Sequence, residues 1–286
     1  MSTHCAATGA LPPLAPARHL APGHAHTFWQ TVRDHAQAMA RDEPALERLI
    51  ADQVLDHSNF ASAVAHIVCQ RLSGGALGAG PLRAVANSAL RADPTIANAV
   101  RQDIEAACRR DPAASGPAEP LLFYKGVHAL AAYRIAHWLW RQGRRPLARC
   151  LQSLCSERLS IDIHPAARIG CGILLDHGTG VVIGETAVVE DNVSILHNVT
   201  LGGTGKESGD RHPKVRSGVL IGAGALILGN VEVGRGAKVG AGSVVLAAVS
   251  AHTTVAGHLA RGVGVPATLQ PSLEMTHVEP VRKQTS

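Results

Sequence analysis

At 286 residues the chain is long enough to bury the core of one large domain or two modest ones. Aromatic residues make up only 3% while glycine numbers 29, a composition that suits tight backbone turns and thin side-chain layers. The net charge of +5 is spread out, and its one cluster (Arg141, Arg144, Arg145, Arg149) lacks the interleaved aromatics of a stacking platform, so it reads as a solvated helix face and not as a nucleic-acid surface.

Residues 1–26 are rich in Ala, Pro and His without periodicity and read as a disordered tail. They lack a basic segment followed by an apolar one, and no apolar run reaches membrane-spanning length, so no membrane association is expected. From residue 27 to 160 the spacing is helical. Phe60, Val64, Ile67, Val68 and Leu72 recur at three and four residues, Asp93-Pro94 caps a second stripe (Ile96, Val100, Ile104, Cys108), and a further helix is expected over 122–142 with Gly143 as its stop. The six cysteines form no CxxC pair and no small secreted framework, which fits reduced thiols in the cytoplasm.

Near Ile161 the period changes to six. Ile163 and Ile169 start the series; Ile183, Val189, Ile195 and Leu201 continue it, with a two-residue phase slip near Val181-Val182. It resumes at Ile221, Ile227, Val233, Val239 and Val245, with small or branched residues four places on. Such a repeat is the signature of a parallel β-helix, in which each unit is one short flat side and the aliphatic residue fills the axis. The expected fold class is therefore α+β: an all-helical domain over 27–160, then a hexapeptide-repeat solenoid over 161–262. The repeat is interrupted by a charged, Gly-rich loop over 202–218 and followed by a C-terminal tail over 263–286. Gly205-Lys206 is not a P-loop, because Thr200 stands at its first glycine and Glu207 follows the lysine.

The residues Asp162-Ile163-His164-Pro165, Leu175-Asp176-His177-Gly178, Thr200-Leu201-Gly202-Gly203-Thr204-Gly205-Lys206 and Gly209-Asp210-Arg211-His212-Pro213-Lys214, set in this solenoid, resemble bacterial serine acetyltransferases. The resemblance runs from about residue 28 to 265. It implies a left-handed β-helix, a homotrimer or dimer of trimers with sites between neighbouring solenoids, acetyl-CoA as co-substrate without a metal, and L-serine as acceptor. It also implies inhibition by L-cysteine.

For the site, the resemblance implies His177 as general base with Asp162 orienting it, Asp111 and Asp176 on the substrate ammonium, and Arg211 and His212 on its carboxylate. Gly203, Ala223, Lys238 and Ala241 then fall to CoA. Read alone, the same residues have plainer roles: a surface histidine at a coil corner, a turn former before Pro112, ordinary corner spacing. The chemistry nonetheless needs what they offer. An imidazole titrates in the range to accept the serine proton, a guanidinium grips a carboxylate with two parallel bonds, and a backbone amide near Gly203 can meet a thioester oxyanion. Two departures stand out. His258-Leu259 replaces the family's usual Val-Pro, and Ser286 ends the chain where the family ends in isoleucine, so no tight complex with O-acetylserine sulfhydrylase is expected.

Three alternatives compete. A sugar or xenobiotic acetyltransferase would share the solenoid but not need the clamp of Asp111, Arg211 and His212. A β-helical zinc hydratase would use His177, His197 and His212 as ligands. A non-catalytic scaffold would have no use for the charged loop.

Overall fold

The structure is a computed structural model that describes residues 22–74, 77–205 and 208–257, the side chains from Thr27 onward. Lys206, the His258-Leu259 departure and the C-terminal segment lie outside the described residues. Among the described residues eight α-helices come first: α1 (Pro22–Asp42), α2 (Glu47–Ile50), α3 (Phe60–Leu72), α4 (Ala79–Ala92), α5 (Thr95–Arg110), α6 (Ala118–Phe123), α7 (Lys125–Arg141) and α8 (Arg145–Leu159). Helix α1 starts at Pro22, inside the segment read as tail; proline suits a first helical turn, and Gly23 beside it masks the signal. The single helix expected over 122–142 is two, broken where Tyr124 turns extended (ψ 105°), and α8 follows Gly143 as a separate helix. Asp93 caps α5 as its sequence suggests, its carboxylate taking the Thr95 amide at 3.1 Å.

From Ile161 the described residues wind through fourteen short parallel strands in three sheets. One sheet, called here the front, holds β1 (Ile161–Ile163), β4 (Val181–Ile183), β7 (Thr200–Gly202), β10 (Leu226–Leu228) and β13 (Val244–Val245). The second holds β2 (Arg168–Ile169), β5 (Val188–Val189), β8 (Lys214–Val215) and β11 (Glu232–Val233). The third holds β3 (Leu174–Leu175), β6 (Ser194–Ile195), β9 (Leu220–Ile221), β12 (Lys238–Val239) and β14 (Thr254–Val255). Inward aliphatics stack in columns, such as Ile163, Ile183, Leu201, Ile227 and Val245, all buried. Each contributes on the order of 1.5–3 kcal/mol by leaving water, which is why a strict sixfold pattern fixes the coil.

Register shows where the coil departs from its 18-residue turn. Val215 pairs with Val233, 18 positions on, whereas Ile163 pairs with Ile183, 20 on, and Val189 with Val215, 26 on. The two extra residues widen the corner between β3 and β4, Asp176–Gly180. The eight extra residues lie between β7 and β8. The coil resumes at Lys214-Val215 and not at Ile221, which shortens the expected loop. Val215 fills the axis, and its polar neighbours Lys214 and Arg216 hid that hexad.

Buried polar contacts dock the helices on the solenoid. Asp103 of α5 is fully buried, takes Arg134 Nη2 at 2.6 Å and accepts the Ile173 amide at 2.8 Å. Burial pushes its carboxyl up, against the pull of Arg134. Arg134 also donates to the Gly170 carbonyl, and Tyr133 to that of Ala167. Arg110, ending α5, reaches Ser194 Oγ at 3.1 Å and Asn192 Oδ1 at 3.2 Å.

Candidate active site

The expected site residues gather at the two corners that flank the front sheet. At the corner between β3 and β4, His177 has φ +56°, a left-handed conformation that costs a non-glycine residue about 1 kcal/mol or more. Gly178 and Gly180 beside it also have positive φ. The His177 side chain is 76% exposed, and its Nε2 lies 3.7 Å from Asp176 Oδ1. The start of α7 presses on this corner from behind: a Cβ on Gly126 would come within 2.2 Å of the Leu175 carbonyl oxygen, so only glycine fits. Lys125 bonds Thr179 Oγ1 there.

Asp111 belongs to the same neighbourhood through Tyr124, whose hydroxyl donates to Asp111 Oδ2 at 2.7 Å. Its other oxygen accepts the Ala113 amide at 2.8 Å, so the plain role of turn former is also real. Arg110 holds this end of α5 against β6.

One coil up from His177 is His197, its ring centroid 6.0 Å away and inclined by 76°. The register that pairs Leu175 with Ile195, Ile221 and Val239 continues this corner through Ala223 and Ala241. Two histidines and then two alanines thus form one straight strip. Lys238 is exposed on the adjoining sheet, paired with Leu220 and Thr254.

The second group lies at the other corner, before β5 and β8. Arg211 and His212 are not on the free part of the loop, contrary to the sequence reading. They stand 26 positions after Glu185 and Thr186, one coil above them in the register that joins Val189 to Val215. Arg211 Nη2 donates to Glu185 Oε2 at 2.8 Å, and that bond holds the Glu185 carboxyl below its usual range. His212 is buried, with Nδ1 2.8 Å from Thr186 Oγ1 and 3.2 Å from the Thr186 amide. Since that hydroxyl accepts the amides of Arg211 and His212, it donates to Nδ1, which leaves the proton of the neutral ring on Nε2. Burial, with Arg211 and Lys214 nearby, pulls the His212 pKa down. A Cβ on Gly184 would fall 2.1 Å from His212 Nε2, so the ring needs glycine below it. Lys214 Nζ staples the loop by donating to Asp210 and to the carbonyls of Thr186 and His212.

Asp162 lines the cleft of about 710 Å³ that this corner shares with α8 and the front sheet. Its Oδ1 accepts Gln152 Nε2 at 2.5 Å, so within one chain it orients no part of His177. Gly203 lies against Arg211, where an added Cβ would meet ordinary contacts at 3.5 Å. His164 also lines the cleft, its pKa lowered chiefly by burial. The histidines of the zinc alternative are divided, His177 and His197 at one corner and His212 at the other. Among the described residues no group of three candidate metal ligands comes together.

One chain therefore carries the expected residues in two separate groups: acidic residues and an exposed imidazole at one corner, a guanidinium and a buried imidazole at the other. Between them the front sheet turns Val182, Leu226 and the 60% exposed Val244 to the outside.

Residues 28–132 match the family model described as serine acetyltransferase, N-terminal, and residues 212–247 that described as bacterial transferase hexapeptide (six repeats). Over 247 residues the chain is 54% identical to the serine acetyltransferase of Salmonella typhimurium, covering 86% of this chain and 90% of that protein. Serine acetyltransferase 4 of Arabidopsis thaliana is 49% identical over 250 residues, covering 87% of this chain and 70% of its own. Among solved structures, soybean serine acetyltransferase complexed with serine superposes with a TM-score of 0.80 at 50% identity, covering 84% of this chain and 99% of that one. The Brucella abortus enzyme in complex with coenzyme A gives 0.79 at 50% identity, covering 83% and 95%. A serine acetyltransferase complex with cysteine gives 0.80 at 49% identity, covering 85% and 99%.

Proposed function

The chain belongs to the serine acetyltransferase family, and on that premise we propose how its own residues move an acetyl group from acetyl-CoA to the hydroxyl of L-serine. The reaction gives O-acetyl-L-serine and CoA. It is an acyl transfer, the first step by which serine becomes cysteine.

His177 takes the serine hydroxyl proton as the oxygen attacks the thioester carbon. Its exposure on the corner that carries two extra residues supports this role. Asp111 and Asp176 hold the substrate ammonium. Arg211, aimed by Glu185, and His212, through Nε2–H, hold its carboxylate. The strip of Ala223 and Ala241 has no bulky side chain to obstruct a pantetheine arm, and Lys238 is placed to meet a phosphate. The Gly203 amide is the donor for the developing oxyanion.

The two halves of this clamp sit at different corners of one chain, so a complete site takes one half from each of two copies. The apolar residues between the corners support a homotrimer packed through the front sheet, with Asp162 of one copy meeting His177 of the next. Whether two trimers then pair is set by the helical half. L-cysteine, differing from serine by one atom, fits the same clamp and acts as an inhibitor, a reading the cysteine complex of a relative supports. The cysteines described are free thiols, which suits the cytoplasm, and among the described residues no helix is long and apolar enough to cross a membrane.

The observation that carries this reading is the presence in one coil of an exposed His177 on a lengthened corner and a structured Arg211–His212 corner. Thiol release from acetyl-CoA in the presence of L-serine tests it. Release with serine and none with sugar acceptors is the expected result, and equal rates with both would overturn it.

A further inference from the structure

Gln152 of α8 has no part in the scheme above, yet among the described residues it is the one hydrogen-bond partner of Asp162, its Nε2 lying 2.5 Å from Asp162 Oδ1. Asp162 is the middle residue of β1. Ile161 and Ile163 on either side of it are buried in the axis, so its carboxylate stands on the outer face, in the cleft. Arg145, Arg149 and Arg211 line the same cleft. A guanidinium takes a carboxylate through two charge-assisted bonds and would outcompete an imidazole for it. Left free, the Asp162 side chain would turn to one of these arginines. The Gln152 amide ties one of its oxygens to α8 and leaves the other without a partner in the chain.

Gln152 is itself imperfectly paired. Its Oε1 is buried without a hydrogen-bond partner. The amide cannot turn over to mend this, because its oxygen would then face the Asp162 carboxylate. A buried carbonyl left unpaired is a cost that methionine or leucine at this position would not carry. What the glutamine supplies is a donor without a charge. A lysine or arginine there would hold Asp162 as an ion pair and compete with any other cation that needs it.

We propose that Gln152 is a positioning residue for the base: it fixes the Asp162 carboxylate so that the second oxygen is kept for His177 of the neighbouring copy. The proposal rests on the acetyl-transfer reading and on the trimer in which Asp162 meets that histidine. In the step, the serine oxygen forms a bond to the acetyl carbon and its proton passes to His177. The fixed carboxylate stabilises the imidazolium so formed without taking the proton. The carbon–sulfur bond then breaks, the electron pair stays on sulfur, and the proton moves from His177 to that sulfur. Gln152 and Asp162 end as they began.

The test is Gln152→Met, which keeps length and bulk and removes both the donor and the orphaned oxygen. A residue that acts through another forfeits only part of the about 10²–10⁴ that a positioned base supplies, so kcat should fall roughly 5–20-fold. The KM values for serine and acetyl-CoA should each stay within about twofold of the wild type, because the loss falls on the transition state alone. The thermal midpoint should not fall, since no buried oxygen is left unpaired; a purely structural role would lower it and spare kcat. In an Asp162→Ala background the same substitution should cost nothing more, because its target is gone. Unchanged kcat in Gln152→Met overturns the proposal, as does an equal further loss in the Asp162→Ala background. If Gln152→Met does not fold, Gln152→Leu is read in the same way. Wild-type kcat in Asp162→Ala overturns it too, while leaving acetyl transfer to serine standing. Failure of the wild type to release thiol with serine would instead strike the acetyl-transfer reading itself, and this proposal with it.

Discussion

Thr186 Oγ1 lies 2.8 Å from Nδ1 of His212, and the same hydroxyl accepts the backbone amides of Arg211 and His212. One hydroxyl thereby fixes where the two residues begin and which nitrogen of the imidazole points outward. Thr186→Val keeps the shape and removes all three bonds. Leaving such groups unpaired costs about 1–3 kcal/mol, so the KM for serine should rise roughly 10–100-fold while that for acetyl-CoA stays put. Steady-state kinetics with each substrate varied in turn decide it, and equal shifts in both would show that Thr186 does not act through the carboxylate clamp.

His177→Ala should lower kcat by about 10²–10⁴, the worth of a positioned base. The fold should survive, because the side chain is exposed and contributes little to the core. Circular dichroism establishes the fold and thiol release the rate; a folded variant with near-normal turnover would remove His177 from the mechanism.

L-cysteine should compete with serine, and Arg211→Lys should weaken both together. A lysine presents a point charge where the arginine fork reaches both Glu185 and a carboxylate. Parallel rises in the serine KM and the cysteine inhibition constant are expected. Cysteine inhibition that persists unchanged in a variant that has lost serine affinity would place the inhibitor elsewhere.

Acid should destabilise the protein before its carboxylates titrate. Burial is the leading cause that lowers the pKa of His57, His128, His137, His164 and His212, and His128 falls to about 4. Each binds a proton more readily in the unfolded chain, near 6.5, so their stability is complete above that pH and drains away as pH falls through the folded values. His128 alone accounts for about 3 kcal/mol. Urea midpoints should drop steadily from pH 7 to 4.5, more gently in His128→Gln; a flat profile would contradict the assignment.

The coil was legible because aliphatic residues fill its axis at intervals of six over most of its length. The widened corner that carries His177 was legible as a two-residue slip in the pattern, displaced by a few positions, whereas the role of His177 rests on the family resemblance. The loop misled because Lys214, a strand residue folded back onto the carbonyls of Thr186 and His212, looks like loop sequence. Counting the insertion as eight residues would have put Arg211 over Glu185 and His212 over Thr186, and so found their partners. Gln152 and Tyr124 could not be found that way. Gln152 lies on α8 and Tyr124 at the break between α6 and α7, so their placement depends on helix packing, and no period links them to Asp162 or Asp111.

The division of the proposed site between two corners has a genetic consequence. A chain damaged only at His177 still carries a sound Arg211 corner, and a chain damaged only at Arg211 still carries a sound His177. In the proposed trimer each alone would assemble dead enzyme. Refolded together, they would place sound halves side by side at some of the junctions. Two null alleles of this gene in one cell would then complement each other, while two alleles hit at the same corner would not.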